Sequence, residues 1–181
     1  MQKYFKSCDF KLVRPDKTYE EQWQYAVKVL QDADGKIIPN NLEATNFANF
    51  LEQTRNFEKG ENLPDGYVPS ELYFFVSKQN PSVILGVTDL RLRVTPDIER
   101  FFGQAGGSII PEYRKNGWGK YIIKLTLDML CQKGFESIIL TCEEKNESSR
   151  RAIIANGGIF QGVSILGGKK IERYQIKLTS E

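Results

Sequence analysis

Residues 114–130 read RKNGWGKYIIKLTLDML. Two glycines, Gly117 and Gly119, and three basic side chains, Arg114, Lys115 and Lys120, stand directly before or at the start of a strongly apolar segment. Ile122, Ile123, Thr126, Leu127 and Leu130 recur at helical spacing, and Tyr121, Leu125 and Met129 widen the stripe. Only Lys120, Lys124 and Asp128 form a clear polar line, so this helix must be covered over most of its circumference. A helix start presents amide N–H groups with no intrahelical partner, and the peptide dipoles add positive potential there. Glycine lets the backbone turn tightly and approach a ligand closely. The arrangement suits an anion, most simply a phosphate. The same glycines also suit a plain turn from strand to helix, and their spacing does not choose between the two. GxxxxGK followed by Ser or Thr is missing, and GQAGG (103–107) neither matches the GxGxxG dinucleotide pattern nor opens the helix.

Working outward, GQAGGSIIP (103–111) reads as a strand before the helix, and Gly134 ends the helix. SIILTC (137–142) is an unbroken apolar run, the pattern of a sheet interior. A short helix over Glu147–Asn156 follows, then a hairpin of IFQGVSIL and KKIERYQIKL joined by Gly167 and Gly168. Nearer the start, FKLVRP (10–15) reads as a strand, and TYEE (18–21) as a capping box opening a helix through Trp23, Ala26, Val27 and Leu30 that Gly35 closes. Phe47, Phe50, Leu51 and Thr54 mark a second helix, and residues 60–70 a loop. ELYFFVSK and VILGVTDLRLRV form an antiparallel hairpin, and Thr95 with Pro96 behind it is a helix N-cap. The order predicts an α/β fold with a mostly antiparallel sheet, one parallel crossover and a single domain over residues 1–181.

Composition narrows the chemistry. With 40% hydrophobic and 27% charged residues the chain is of ordinary globular type, and a net charge of +2 gives no basic stripe for nucleic acid. No long apolar run argues for a membrane span. Cys8, Cys131 and Cys142 are odd in number and lack CxxC spacing, which suits a reducing cytoplasm. There is no histidine. Ser-His-Asp and Cys-His catalysis and histidine-ligated metal sites are therefore excluded, no metal is expected, and proton transfer must use carboxylates, Lys, Tyr, Cys or water.

Four parts in order, Ser108–Ile110, Arg114–Gly119, Ile138–Cys142 and Asn146 through Gly157, resemble the GNAT N-acetyltransferase superfamily. The family pattern is a strand, then Arg or Gln-x-x-Gly-x-Gly or Ala opening a helix, then a second strand, then an Asn-led helix ending in Gly. YVPSELYFFV, DLRLR and LTCEEKNESSRRAIIANGG further resemble a bacterial subgroup of predicted acetyltransferases. The resemblance implies a mixed, mostly antiparallel central sheet flanked by helices, with the fourth and fifth strands splayed at the coenzyme site. It implies acetyl-CoA as cosubstrate, held by the amides of Lys115, Asn116, Gly117, Trp118, Gly119 and Lys120, with Arg114 at the loop entry. Ile109 and Ile110 would offer backbone groups to the pantetheine arm, and Asn146 with Ser149 would lie beside it. A homodimer is implied as well.

The chain departs from that pattern where acid and base are usual. Seven residues after Asn146 stands Ile153 in place of the common tyrosine, and the fourth strand has Gln104, Ala105 and Gly106 in place of a carboxylate. Asp89 and Glu143 are the remaining candidates for a base, each equally readable as a solvated or paired charge. Arg91 and Arg93 alternate with Leu90 and Leu92 and should share one sheet face, either to bind an acidic group or as plain surface. Trp118 reads as a cover for the coenzyme or as packing, and Cys142 as core. The acceptor pocket belongs to residues 35–70 and 95–103, which hold Phe47, Phe57, Glu58, Glu61 and Tyr67. Three readings remain open, in this order: transfer of acetyl to a primary amine of a small molecule or peptide, non-catalytic acyl-CoA binding as a sensor or subunit, and a structural domain whose loop binds no coenzyme A.

Overall fold

The structure, a computed structural model, describes residues 6–178. After strand β1 (Phe10–Val13), the Asp16 carboxylate accepts the Thr18 amide at 2.8 Å and opens a 3-10 turn, Lys17–Tyr19, on which helix α1 (Glu20–Asp34) begins. The capping box expected at Thr18 and Glu21 is therefore displaced. A carboxylate accepts more strongly than a hydroxyl, and the Thr18 hydroxyl itself donates to Asp16 Oδ1 at 2.5 Å. α1 buries Trp23, Ala26 and Leu30 along one stripe, and Gly35 closes it with a left-handed cap. Helix α2 (Phe47–Lys59) is capped by Asn46, whose Oδ1 accepts the Asn49 amide at 2.9 Å, and buries Phe47, Phe50, Leu51, Thr54 and Phe57.

Strands β2 (Ser70–Ser77) and β3 (Gly86–Arg91) form the expected hairpin, and β1 and β4 (Ala105–Ile109) extend it to the order β1-β2-β3-β4. β2 is buried on both faces, which explains its near-continuous apolar run. Leu72, Phe74 and Val76 meet α1 and α2. Tyr73 and Phe75 point the other way, where helix α3 (Gly119–Gln132) packs through Ile122, Leu127 and Leu130. Fully burying a Phe or Leu side chain is worth on the order of 1.5–3 kcal/mol, so this double layer dominates the stability.

Strands β5 (Ser137–Glu143), β6 (Ile159–Leu166) and β7 (Lys169–Lys177) make a second sheet in the order β5-β7-β6. Helix α4 (Glu147–Ile154) packs against it through Ile153, which clusters with Leu140, Cys142 and Tyr174. The β6–β7 hairpin turns on Gly167 and Gly168, both at positive φ, as a two-residue turn requires.

The single sheet expected from the element order is thus divided, and every strand pairing among the described residues is antiparallel. β4 and β5, which α3 connects, share no ladder: they are the splayed pair. β5 is accordingly not an interior strand. Its burial alternates, with Ile138, Leu140 and Cys142 turned into the core, and the edge toward β4 is open. No helix among the described residues is long and apolar enough to cross a membrane.

Candidate functional site

The wedge between β4 and β5 closes at one residue. Gln104, buried just before β4, donates its backbone N–H to the Ile139 carbonyl at 2.8 Å, and its side-chain Oε1 accepts the Ile139 N–H at 2.6 Å. Beyond that joint the strands part. β4 bonds to β3 at Arg91–Gln104 (2.8 Å) and Ile110–Leu85 (3.0 Å), so the alternate residues Gly107 and Ile109 turn their N–H and C=O groups to the wedge. β5 is flanked by bonds to its neighbour at Glu144–Lys170 (2.9 Å) and Leu178–Glu136 (2.8 Å), so Thr141 and Glu143 turn theirs toward β4. The wedge is lined by two main-chain edges that no strand pairs among the described residues, although the Ile109 carbonyl accepts Arg114 Nε at 3.0 Å and the Glu143 carbonyl accepts the Asn146 N–H at 2.7 Å. Of Ile109 and Ile110, only Ile109 faces it; Ile110 is fully buried and spends its N–H on Leu85.

The loop 111–120 sits at the end of β4. Lys115 and Gly117 have φ of 65° and 73°, and the amides of Asn116, Gly117, Gly119 and Lys120 make no backbone hydrogen bond among the described residues. Alternating left-handed residues before a helix make a concave nest of N–H groups. Gly117 is explained by its φ. Gly119 is not: a Cβ there would meet only Ala152 Cβ, at an ordinary 3.6 Å. Trp118 packs, its ring stacked on Tyr113 (5.9 Å between centroids) and tilted against Phe10 (5.3 Å), which anchors the loop to β1. The Lys120 carbonyl accepts the Asn156 side-chain amide at 3.0 Å, tying the end of α4 to the start of α3.

Arg114 is engaged by the protein itself. Its Nε donates to the Ile109 carbonyl at 3.0 Å, and its two terminal nitrogens form a fork onto Asp34 of α1 at 2.9 and 2.5 Å. The guanidinium holds the Asp34 carboxyl below the usual carboxylate range. Two residues on, Lys36 reaches Glu143 at the end of β5 at 2.7 Å, and Lys169 joins at 3.2 Å. Bonded to Lys36 and then Lys169, Glu143 titrates below its ordinary range and is a weak base. The end of α1 thereby bridges both lips of the wedge.

Asp89 differs. It is buried on β3, its Oδ1 accepts the Gly106 amide at 3.0 Å, and Arg91 lies 3.3 Å from Oδ2. Burial raises its pKa, and the Arg91 charge only partly offsets that. Arg91 and Arg93 do not act as a pair. β3 ends at Arg91, which donates to the Phe102 and Gly103 carbonyls at 2.9 and 3.0 Å, while Arg93 lies exposed beyond the strand. Those carbonyls close a π-turn (Ile98–Phe102) whose start Thr95 caps as expected, its hydroxyl accepting the Ile98 amide at 3.2 Å.

Asn146 caps α4 by accepting the Ser149 amide at 3.1 Å. Cys142 is core, its thiol pushed up to about 11 mainly by burial. Phe47 and Phe57 are core as well, Glu58 pairs with Arg14, and Tyr67 remains exposed with its ring edge-on to Phe57. Sequence reasoning missed Gln104 as the joint and Asp34, Lys36 and Asn156 as ties. Their partners lie 35, 80, 107 and 36 residues away respectively, beyond any local pattern.

No family model and no curated protein matches the sequence. In fold the chain is similar to solved acetyltransferases. The microcin C7 self-immunity acetyltransferase, solved with acetyl-CoA and AMP, superposes with a TM-score of 0.65 at 15% identity over 93% of this chain and 92% of that one. A Salmonella typhimurium acetyltransferase that modifies the N-terminal serine of a 50S ribosomal subunit protein gives 0.66 at 11% identity, over 94% and 96%. The spermidine/spermine N-acetyltransferase of Vibrio cholerae gives 0.63 at 15%, over 94% and 95%. The fold is that of the GNAT acetyltransferases.

Proposed function

We propose that this chain is a single-domain N-acetyltransferase over residues 1–181, transferring acetyl from acetyl-CoA to a primary amine of a small molecule or peptide. The observation that carries the reading is the coincidence of the two-edged wedge with the open amides of Asn116, Gly117, Gly119 and Lys120 at the neighbouring helix start. A pyrophosphate needs such a nest, and an amide-bearing arm needs an unpaired strand edge. Gly119, glycine without a packing reason, supports close approach of a ligand to the backbone. The two named acceptors among the similar folds, an N-terminal serine and spermidine or spermine, are both amines.

In this reading Lys115 to Lys120 hold the pyrophosphate, Ile109 offers its amide to the pantetheine arm with Ile110 fixing the strand end, and Asn146 and Ser149 flank the arm. Arg114 keeps Ile109 and the loop in register through Asp34. The coenzyme supplies the acetyl thioester. An ammonium acceptor must lose a proton before it can attack, and Asp89, raised by burial and next to Gly106 of the splayed strand, is the better proton acceptor of the two candidates. A thiolate leaves readily, so Ile153 in place of a tyrosine is compatible with turnover. The three free cysteines fit a cytoplasmic setting. A homodimer and the absence of nucleic-acid or membrane partners belong to the same reading.

The test is calorimetric titration with acetyl-CoA of the wild type and of a double variant, Gly117→Glu with Gly119→Glu, whose folding is checked by circular dichroism. Saturable binding lost in the folded variant is expected, together with thiol release that depends on an added amine. Folded wild type that binds no acetyl-CoA sinks the proposal. Binding without amine-dependent release on a broad panel leaves a non-catalytic acyl-CoA holder, which the missing tyrosine and strand carboxylate would then explain.

A further inference from the structure

Four arginines are partly buried among the described residues: Arg91, Arg114, Arg150 and Arg173. Three of them are neutralised. Arg91 lies 3.3 Å from Asp89, Arg114 forks onto Asp34, and Arg150 reaches Glu172 at 2.8 Å. Arg173, on β7, makes no ion pair among the described residues. Its Nε is shut off from solvent without a partner, and its Nη2 stays 3.5 Å from the Gln161 carbonyl, beyond ordinary hydrogen-bond length. A charge taken out of water costs free energy unless a partner offsets it.

The register explains why the chain supplies no partner. Arg173 stands opposite Thr141 of β5 and Gly162 of β6. Thr141 donates its hydroxyl to the Phe101 carbonyl at 3.1 Å. Gly162 follows a bulge at Gln161 and has φ of 123°, a conformation that disfavours any side chain. A Cβ there would lie 3.6 Å from Arg173 Nη2, so the guanidinium rests over β6. Glu143, on the same sheet face, is held by Lys36 at 2.7 Å and Lys169 at 3.2 Å. This face lies opposite the one that α4 covers through Tyr174.

Thr141 is also a wall of the wedge, so Arg173 stands one strand behind that wall. Neighbouring strands lie about 4.8 Å apart, which sets a guanidinium over β6 about 10 Å from β5. We infer that Arg173 binds a carboxylate of the acceptor, and that the acceptor's amine and carboxylate are separated by about 10 Å, as in a tripeptide. A guanidinium offers two parallel N–H donors that match a carboxylate's two oxygens. An extended chain rises about 3.3 Å per residue, so about three residues span the gap and a single amino acid is too short. The inference rests on the transferase reading for what occupies the wedge, whereas the missing partner of Arg173 does not.

The probes are triglycine and triglycine amide, which share an amine and differ in the carboxylate. Both are titrated by calorimetry into the full chain with coenzyme A present, and both are offered as acceptors with acetyl-CoA. The wild type is expected to prefer triglycine by about tenfold in Kd and in kcat/KM. Arg173→Met keeps an unbranched stem without the charge and is expected to treat the two alike, with acetyl-CoA affinity unchanged. Arg173→Lys is expected to keep part of the preference. Because Arg173→Met breaks no ion pair, its melting midpoint should match or exceed that of the wild type. Triglycine binding that needs Arg173, without thiol release, would sink the transferase reading and leave the carboxylate site standing. Turnover that uses the two peptides equally, or a preference that survives Arg173→Met, overturns the inference and leaves the transferase reading intact. A lowered midpoint in Arg173→Met marks a structural arginine, and lowered acetyl-CoA affinity assigns it to the coenzyme; either overturns the inference. So does a wild type that binds neither peptide.

Discussion

Gln104 and Ile139 exchange two hydrogen bonds, one through the Gln104 backbone and one through its side chain, and they are the joint from which β4 and β5 diverge. A side-chain oxygen that occupies the place of the next strand carbonyl ends the ladder after one residue. This is a physical means of starting a splay.

Gln104→Ala leaves the Ile139 N–H without its acceptor, a loss of about 1–2 kcal/mol for a part-buried donor. At this chain length each kcal/mol lowers the melting midpoint by roughly 2–4 °C. A drop of several degrees in thermal denaturation is expected, with weaker acetyl-CoA binding because the wedge loses its fixed base. An unchanged midpoint would mean that the joint is not a constraint.

Gly119→Ala separates packing from ligand approach. The added methyl meets only Ala152 at ordinary distance, and alanine in a helix is favoured over glycine by up to about 1 kcal/mol. Stability should hold or rise while acetyl-CoA affinity falls, read by calorimetry beside thermal denaturation. If affinity stays constant, the backbone there is not approached closely.

Arg114→Lys keeps the charge and loses the fork onto Asp34 and the bond to Ile109. It should weaken coenzyme binding as much as Arg114→Ala does, by about tenfold, equivalent to about 1.4 kcal/mol. A lysine variant that binds like wild type would show that charge alone matters.

Asp89→Asn removes the proposed proton acceptor. Turnover should fall by on the order of 100-fold, within the usual range for general base catalysis, with acetyl-CoA affinity retained. The stability signature has a defined sign. Because the folded pKa is raised, the native state holds its proton when the unfolded chain has lost it, so stability falls as pH climbs from about 4 through the folded value. The gap in unfolding free energy between wild type and variant should therefore move in the variant's favour over that window, as followed by urea titration.

Glu172 has the opposite sign. Arg150 and the Tyr174 hydroxyl bond to it at 2.8 Å each, and the Arg150 hydrogen bond lowers its pKa despite burial. Its contribution is present above the ordinary glutamate range of about 4.3 and is lost as pH falls through the lower folded value. Glu172→Gln should be less stable than wild type near neutrality, and the two should converge in acid. A constant difference down to the acid limb would remove Glu172 from the linkage.

The helices and strands of this protein were legible from local pattern, because a buried face imposes its period on the chain: Trp23, Ala26 and Leu30 on α1, or Ile122, Thr126 and Leu130 on α3. The turn before α3 was legible too, since Gly117 ahead of an apolar helix marks a left-handed backbone position within a few residues. Tertiary structure alone decided the split of the sheet, the burial that sets Asp89 apart from Glu143, and the engagement of Arg114 by Asp34. Each depends on groups that the chain brings together from 17 to 107 residues away. A carboxylate's pKa and a guanidinium's partner are properties of the space around them, and no periodicity along the chain encodes that space.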